Sequence, residues 1–292
     1  MKVAIFGRNF DKGFKDYIEL FFQILKEKKV EITIYKKFYD FLEREIKLNT
    51  ETIDIFSKHE QIRGKIDMLF SIGGDGTILD AVTIVRDSGI PIVGINTGKL
   101  GFLASIAKEE IESAMNAIFL KEYSIEERTL LRLETSSGLF KDFPYSLNDI
   151  SVQKVDSAMI TVHVYINDEF LNSYWADGLI ISTPTGSTAY SLSVGGPIIT
   201  PQSGNFIISQ ISPHNLTVRP IVIPDSAKLK LKLEDRSLNY IASIDHRSIM
   251  IKNTEEINIS KANFKVKLIK LNNTSFYKTL RNKLMWGIDK RN

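Results

Sequence analysis

The sequence predicts an α/β N-terminal domain with a parallel sheet, followed by a mostly antiparallel β domain. Three patterns carry this. The chain opens strand-helix-strand: Val3–Phe6 is apolar and ends at Gly7, Phe14 to Leu25 places apolar residues at helical spacing, and Val30, Ile32 and Ile34 alternate with polar residues. A second apolar run, Met68-Leu69-Phe70, enters a glycine turn, and Ile78, Leu79, Val82 and Val85 leave it at near-helical spacing up to Gly89. From about Glu122 the period changes to two: Ile160, Val162, Val164 and Ile166 alternate with Thr161, His163 and Tyr165, and Leu229, Leu231 and Leu233 with Lys228, Lys230 and Lys232.

Between these landmarks, the charged stretch Lys36–Lys65 reads as a helix plus an exposed connection. Pro91–Ile95 reads as a buried strand, and Lys108–Lys121 as a helix with Ile111, Met115, Ile118 and Phe119 inward. Phe276–Trp286 reads as a closing helix. The expected divisions are residues 1–121, 122–270, and a tail of 271–292 packed back on the first domain. His163 and Lys228–Lys232 fall within strand alternations and read as strand faces, the lysines solvated.

The 292 residues carry 38 Lys and Arg against 35 Asp and Glu, a net charge of +3, too small to indicate a nucleic-acid partner. There is no cysteine, so disulfides, zinc-thiolate sites and a thiol nucleophile are excluded. The four histidines show no metal-ligand spacing. The start, MKVAIFGRNF, reads as a strand and not a signal peptide, and no apolar run approaches a membrane span, so a cytoplasmic protein without a membrane partner is expected.

Three stretches carry chemistry. In Ser71–Asp80, SIGGDGTILD, glycines let the backbone approach a ligand, and the free N–H groups of a new helix favour a phosphate. Asp75 in that turn can bind a metal, orient a hydroxyl or accept a proton; the plain alternative is a cap for its own helix. The loop Asn96–Phe102 follows the next strand and, by the rule that ligands bind at the carboxyl ends of strands in open α/β sheets, is expected beside Asp75. Asn148-Asp149 sets a donor and acceptors side by side, suited to sugar hydroxyls. Asp177–Pro197, DGLIISTPTGSTAYSLSVGGP, combines four Ser, three Thr and four Gly with a buried run, and reads as a structured loop with hydroxyls and N–H groups aimed inward at a polar ligand. Gly7-Arg8-Asn9 reads either as another ligand loop or as a strand end without a ligand.

GGDGT at 73–77, GINTGKLGF at 94–102, Asn148-Asp149 and the 177–197 block together resemble the NAD kinase family over nearly the whole chain. GGDG alone is shared with lipid kinases and 6-phosphofructokinases; the TPTGSTAYSLS block separates NAD kinases from them. The resemblance implies the fold shared by NAD kinases and diacylglycerol kinases, with the active site between the domains. It implies transfer of phosphate from ATP, or another donor such as polyphosphate, to the 2′-hydroxyl of the adenosine ribose of NAD. It also implies a divalent cation, usually magnesium, and a homo-oligomer, a dimer or tetramer. By the same resemblance Asp75 is the general base, with Gly74 and Gly76 beside the nucleotide. Asn148 and Asp149 hold the adenine and ribose side of NAD, Asp177 lies on the nicotinamide side, and Thr188, Ala189, Tyr190, Ser191, Leu192 and Ser193 wrap the dinucleotide.

This chain departs from the family pattern at three places. Asp80 stands where many relatives are basic. Arg247, in Ile244-Asp245-His246-Arg247, stands where many bacterial members carry Gln, and is a candidate ligand. Trp175 replaces a polar or basic residue, and its ring can stack on a base or fill the core. No Walker A or HRD-type loop is present. The alternatives are a lipid or sugar kinase sharing GGDG, and a non-catalytic NAD(P)(H)-sensing protein; a carboxylate beside phosphates argues against the second.

Overall fold

The computed structural model describes residues 1–46, 53–98, 101–215, 217–234, 239–272 and 274–285. The chain forms two compact units, Met1–Glu127 with Val266–Asn292, and Arg128–Lys265.

The first unit begins with β1 (Lys2–Gly7), α1 (Lys15–Glu27), β2 (Glu31–Tyr35) and α2 (Lys36–Ile46). It continues through β3 (Asp54–Phe56), α3 (His59–Ile62), β4 (Met68–Ile72), α4 (Asp75–Val85), β5 (Ile92–Ile95) and α5 (Ile111–Phe119). The stretch expected as one helix plus a connection therefore also carries β3 and α3. Their signal is weak because β3 has three residues, two of them exposed. α4 stops at Val85, short of Gly89, because Arg86 turns into the left-handed region at φ 50°.

Hydrogen bonding orders these strands β3-β2-β1-β4-β5, all parallel, and Leu268 pairs parallel with Ile92 beyond β5. The order reverses at β1, so the carboxyl ends of β1 and β4 flank a topological switch point. One face of the sheet, including Ile5, Phe70, Ile72 and Val93, packs on Ile18, Phe21 and Leu25 of α1, with Phe21 edge-on to Phe70 at 5.2 Å. Those three helix positions lie three and four apart, one stripe of a 3.6-residue helix. α4 is buried around most of its circumference, as Thr77, Ile78, Leu79, Ala81, Val82 and Val85 show, which explains why its apolar pattern is nearly continuous.

The second unit is entered along β6 (Tyr123–Thr135) and holds β7 (Tyr145–Ser146), β8 (Asp149–Lys154), β9 (Ile160–Ile166), β10 (Glu169–Ala176) and β11 (Gly178–Ser182). After the short helix α6 (Tyr190–Ser193) come β12 (Asn205–Ile211), β13 (Ile221–Pro224), β14 (Leu229–Glu234), β15 (Asn239–Ile244) and β16 (Arg247–Lys252). The unit is left along β17 (Ile257–Leu271). One sheet runs β13-β12-β11-β8-β15-β16, antiparallel throughout; β10, β9, β14 and β17 form a second antiparallel set. The period-two alternation has a direct cause: Val162, Val164, Leu229 and Leu231 share one core with Ile150, Leu179, Phe206 and Tyr240. On the opposite face Lys230 lies 3.4 Å from both Asp168 and Glu256, and His163 bonds Ser173 at 2.7 Å.

The closing helix, α7 (Phe276–Leu284), is capped by Ser275, whose hydroxyl accepts the Lys278 N–H. Phe276 lies 6.4 Å from the Phe102 ring. Trp286, expected in this helix, lies outside the described residues. Among the described residues no helix is long and apolar enough to cross a membrane.

Gly94 of β5 is a tight point. A Cβ there would lie 2.6 Å from Ile78 Cδ1 and 2.8 Å from Ala104 Cα, and the second contact is backbone. Gly94→Ala should therefore cost about 1–3 kcal/mol in urea unfolding, the usual range for overpacking. Gly13→Ala, where a Cβ meets nothing within 4 Å, should be neutral or slightly stabilising. Equal stabilities for the two variants would contradict this packing.

Candidate active site

The GGDG turn joins β4 to α4. Gly73 adopts φ +149°, and a Cβ there would collide with Thr77. Gly74 is the N-cap of α4 at φ −88°, and a Cβ on it would meet nothing within 4 Å. Packing within the chain therefore explains Gly73 but not Gly74, whose open surface is the kind a ligand occupies.

Asp75 does not cap its own helix. Its carboxylate accepts three backbone N–H groups of the segment after β5: Phe102 to Oδ2 at 2.8 Å, Leu103 to Oδ1 at 3.0 Å and Ala104 to Oδ1 at 2.9 Å. Lys283 Nζ of α7 lies 3.9 Å from Oδ2 and 4.9 Å from the centre of the Phe102 ring. A Cβ on Gly101 would fall onto the carboxylate, so glycine is required there for close approach. A carboxylate offers about four lone-pair sites. Among the described residues three are filled by N–H groups, which leaves one on Oδ2, the oxygen that Lys283 approaches. The loop expected beside Asp75 thus contacts it directly, although Lys99 and Leu100 lie outside the described residues.

At the switch point lies a cavity of about 620 Å³ lined by residues that include Gly7, Arg8, Asn9 and Lys37, with Asp80 and Thr83 of α4. Arg8 donates from Nε to Asp80 Oδ2 at 2.7 Å, and its Nη2 pairs with the same oxygen. Asp80 therefore orients a cation supplied by the residue that follows β1. The Arg8 Nη1 lies 3.8 Å from where a Cβ on Gly76 would stand. The sequence alone favours a strand end without a ligand at Gly7-Arg8-Asn9; the structure places all three at the wall of this cavity.

In the second unit Asn148 and Asp149 close the β7–β8 turn. The Asn148 carbonyl accepts Thr183 N–H at 2.9 Å and the Ser182 hydroxyl at 3.2 Å, while its side-chain amide makes no hydrogen bond among the described residues. Gly186 lies against that carbonyl, where any Cβ would clash. Asp177 pairs with Lys154 Nζ at 2.7 Å.

The hydroxyl-rich block is ordered, as expected, but most of its hydroxyls serve the protein. Thr183 Oγ1 donates to Leu147 O at 2.6 Å, Ser187 Oγ to Pro184 O at 2.7 Å, and Ser191 Oγ lies 3.2 Å from Ser209 Oγ. Thr188 Oγ1 donates weakly to Thr185 O at 3.3 Å. Ala189 and Leu192 are half-buried, and Tyr190 and Ser193 are exposed. The inward-aimed hydroxyls are a turn scaffold, because buried hydroxyls must find partners. Arg247 is likewise committed, donating to Phe143 O and Tyr145 O at 2.7 Å each. Trp175 is 58% exposed and is not a core residue.

Among the described residues no group of three or more His, Asp or Glu side chains could cage a metal.

Asp149 is 6% exposed, and burial, with the nearby Asp245 charge second, pushes its pKa from 3.8 up to about 7. The folded state thus holds this proton to higher pH than the unfolded chain does. The contribution of Asp149 to stability is therefore fully present below about pH 4 and is lost as pH rises to about 7, by up to about 4 kcal/mol. Asp149→Asn should lose that fall, measured by urea unfolding at pH 5 and pH 8. The same pH dependence in both proteins would contradict the assignment.

Comparison with known proteins places these features in a family. Residues 3–123 match the model of the ATP-NAD kinase N-terminal domain, and residues 147–271 that of the C-terminal domain. The chain is 47% identical over 295 residues to an NAD kinase of Flavobacterium psychrophilum and 44% identical over 292 residues to one of Bacteroides fragilis, each covering 100% of both chains. Its fold matches that of yeast NADH kinase complexed with NADH at a TM-score of 0.88, with 22% identity, covering 99% of this chain and 88% of that one. An NAD kinase from Archaeoglobus fulgidus in complex with ATP matches at 0.73, with 25% identity, covering 98% and 99%. With both domain models matched and full-length relatives above 40% identity, the chain belongs to the NAD kinase family.

Proposed function

We propose that this protein transfers the terminal phosphoryl group of ATP to the 2′-hydroxyl of the adenosine ribose of NAD, giving NADP and ADP. The observation that carries the reading is the single carboxylate of Asp75 in the GGDG turn, held by three amides with one lone pair on Oδ2 left over. In this step the ribose O2′–P bond forms and the bond from the γ-phosphorus to the bridging oxygen breaks. The hydroxyl proton passes to Asp75 Oδ2. Phosphoryl transfer asks the protein mainly for positioning and charge stabilisation. Gly74, Gly76 and the first turn of α4 face the phosphates, and Arg8, held by Asp80, supplies positive charge at the switch-point cavity. Asn148 and Asp149 receive the adenine and ribose side of NAD, Asp177 the nicotinamide side, and Thr188–Ser193 lines the dinucleotide. A divalent cation, when bound with ATP, would supply charge neutralisation at the phosphates.

The protein works in the cytoplasm as a homo-oligomer. Phe170 and Trp175 on the edge strand β10 and Met250 on the edge strand β16 are exposed, the kind of edge that a second copy covers.

The test is NADP formation by Asp75→Asn at saturating NAD and ATP across a magnesium series. Asn can still accept from Leu103 and Ala104 through its one oxygen, but it loses the acceptor for Phe102. Folding stability should fall by about 1–3 kcal/mol, while turnover falls by roughly 10²–10⁴. Parent-like turnover would remove Asp75 as the base, and a loss that extra magnesium restores would assign it to the metal.

A further inference from the structure

The hairpin joining β15 to β16 carries two charged residues, and both grip the segment that ends in Asn148-Asp149. Asp245 sits at φ +52°, and its Oδ1 accepts the Ser146 hydroxyl at 2.6 Å and the Asn148 N–H at 2.8 Å, with the Asp149 N–H at 3.4 Å. Its Oδ2 accepts the Leu147 N–H at 3.1 Å. The grip is mutual, because the Asp245 N–H donates to Asp149 O at 2.9 Å. Two residues on, the Arg247 guanidinium holds Phe143 O and Tyr145 O. One short hairpin thus fixes the backbone on either side of β7 and through the following turn. Successive N–H groups converging on one carboxylate are hard to satisfy in any other turn geometry, so the side-chain directions of Asn148 and Asp149 depend on it.

We propose that Asp245 is a positioning residue for the acceptor substrate: it sets the Asn148-Asp149 turn and controls NAD binding through those two residues, without itself touching NAD. This rests on the reading that Asn148 and Asp149 hold NAD. Arg247, which stands where many relatives carry Gln, acts here as the second arm of the same clamp.

Asp245→Asn is the direct variant, because Asn tolerates the left-handed region and preserves the hairpin. It presents an NH₂ group to at least one of the N–H donors and loosens the turn. The KM for NAD should rise about tenfold, the size expected for loss of one charge-assisted hydrogen bond. The KM for ATP should stay within about twofold of the parent value. In an Asn148→Ala/Asp149→Ala background the same change should move the NAD KM by less than about twofold, since the residues it acts through are gone. Ser146→Ala, which removes a buried hydroxyl in reach of both Asp245 Oδ1 and Asp149 O, should raise the NAD KM in the same direction and serves if Asp245→Asn does not fold. An unchanged NAD KM in Asp245→Asn or, failing that, in Ser146→Ala would overturn the proposal. So would an effect that multiplies in full in the double-alanine background, or one that falls equally on ATP. If Asn148→Ala/Asp149→Ala itself leaves the NAD KM unchanged, the binding reading fails, and the role of Asp245 falls with it.

Discussion

Among the described residues, a carboxylate held by consecutive backbone amides occurs once in each unit, and the candidate-site loop of each unit depends on it. Asp75 is held by the N–H groups of Phe102, Leu103 and Ala104, and Asp245 holds those of Leu147, Asn148 and Asp149. Each contact is a charge-assisted hydrogen bond, stronger than the usual neutral pair. Each also fixes several φ and ψ angles of a loop that would otherwise be free. The chain thereby makes rigid platforms from loops, which cannot form ladder hydrogen bonds among themselves.

The two carboxylates differ in what surrounds them. Asp245 accepts the Ser146 hydroxyl besides its three N–H groups. Asp75 accepts three N–H groups among the described residues and is partly open to solvent, which suits the proton transfer proposed for it. Asp149 shows the opposite condition: buried, and raised towards neutrality by its surroundings, it is a carboxyl group that can donate as well as accept at neutral pH. Three aspartates with one chemistry in water thus come to differ through their burial and the donors and charges around them.

The fold class was legible because helix and strand periods are local. The period-two alternation of Leu229–Leu233 and the helical stripe of α1 follow directly from which face is buried. Where the local signal is short, as in β3, it failed. At the site, GGDG and Asn148-Asp149 were legible as residues and the 96–102 loop was expected beside Asp75, but the particular amides that meet Asp75, and Asp245 as the partner of the Asn148-Asp149 turn, were not. Asp75 meets amides that lie 27 to 29 positions away. Asp245 meets amides that lie 96 to 98 positions away. Backbone amides leave no mark in a sequence, and the trace they did leave was indirect: Gly101, where any side chain would fall on the carboxylate, and Gly186, lying against the Asn148 carbonyl. The partners of the Ser and Thr hydroxyls of 182–191 were illegible for the same reason, since composition does not say which nearby carbonyl a hydroxyl meets.

The central claim is that the Asp75 carboxylate organises the Phe102–Ala104 segment and is itself held by it. Amide hydrogen exchange, read residue by residue in the free parent and in Asp75→Asn, tests this most directly. Phe102 N–H should exchange slowly in the parent and at least about tenfold faster in the variant, as expected for loss of a hydrogen bond worth about 1.5–3 kcal/mol. Leu103 and Ala104 should change less, because the remaining oxygen can still accept from both. Equal exchange at Phe102 in the two proteins would mean that Asp75 does not hold this loop, and would contradict the account.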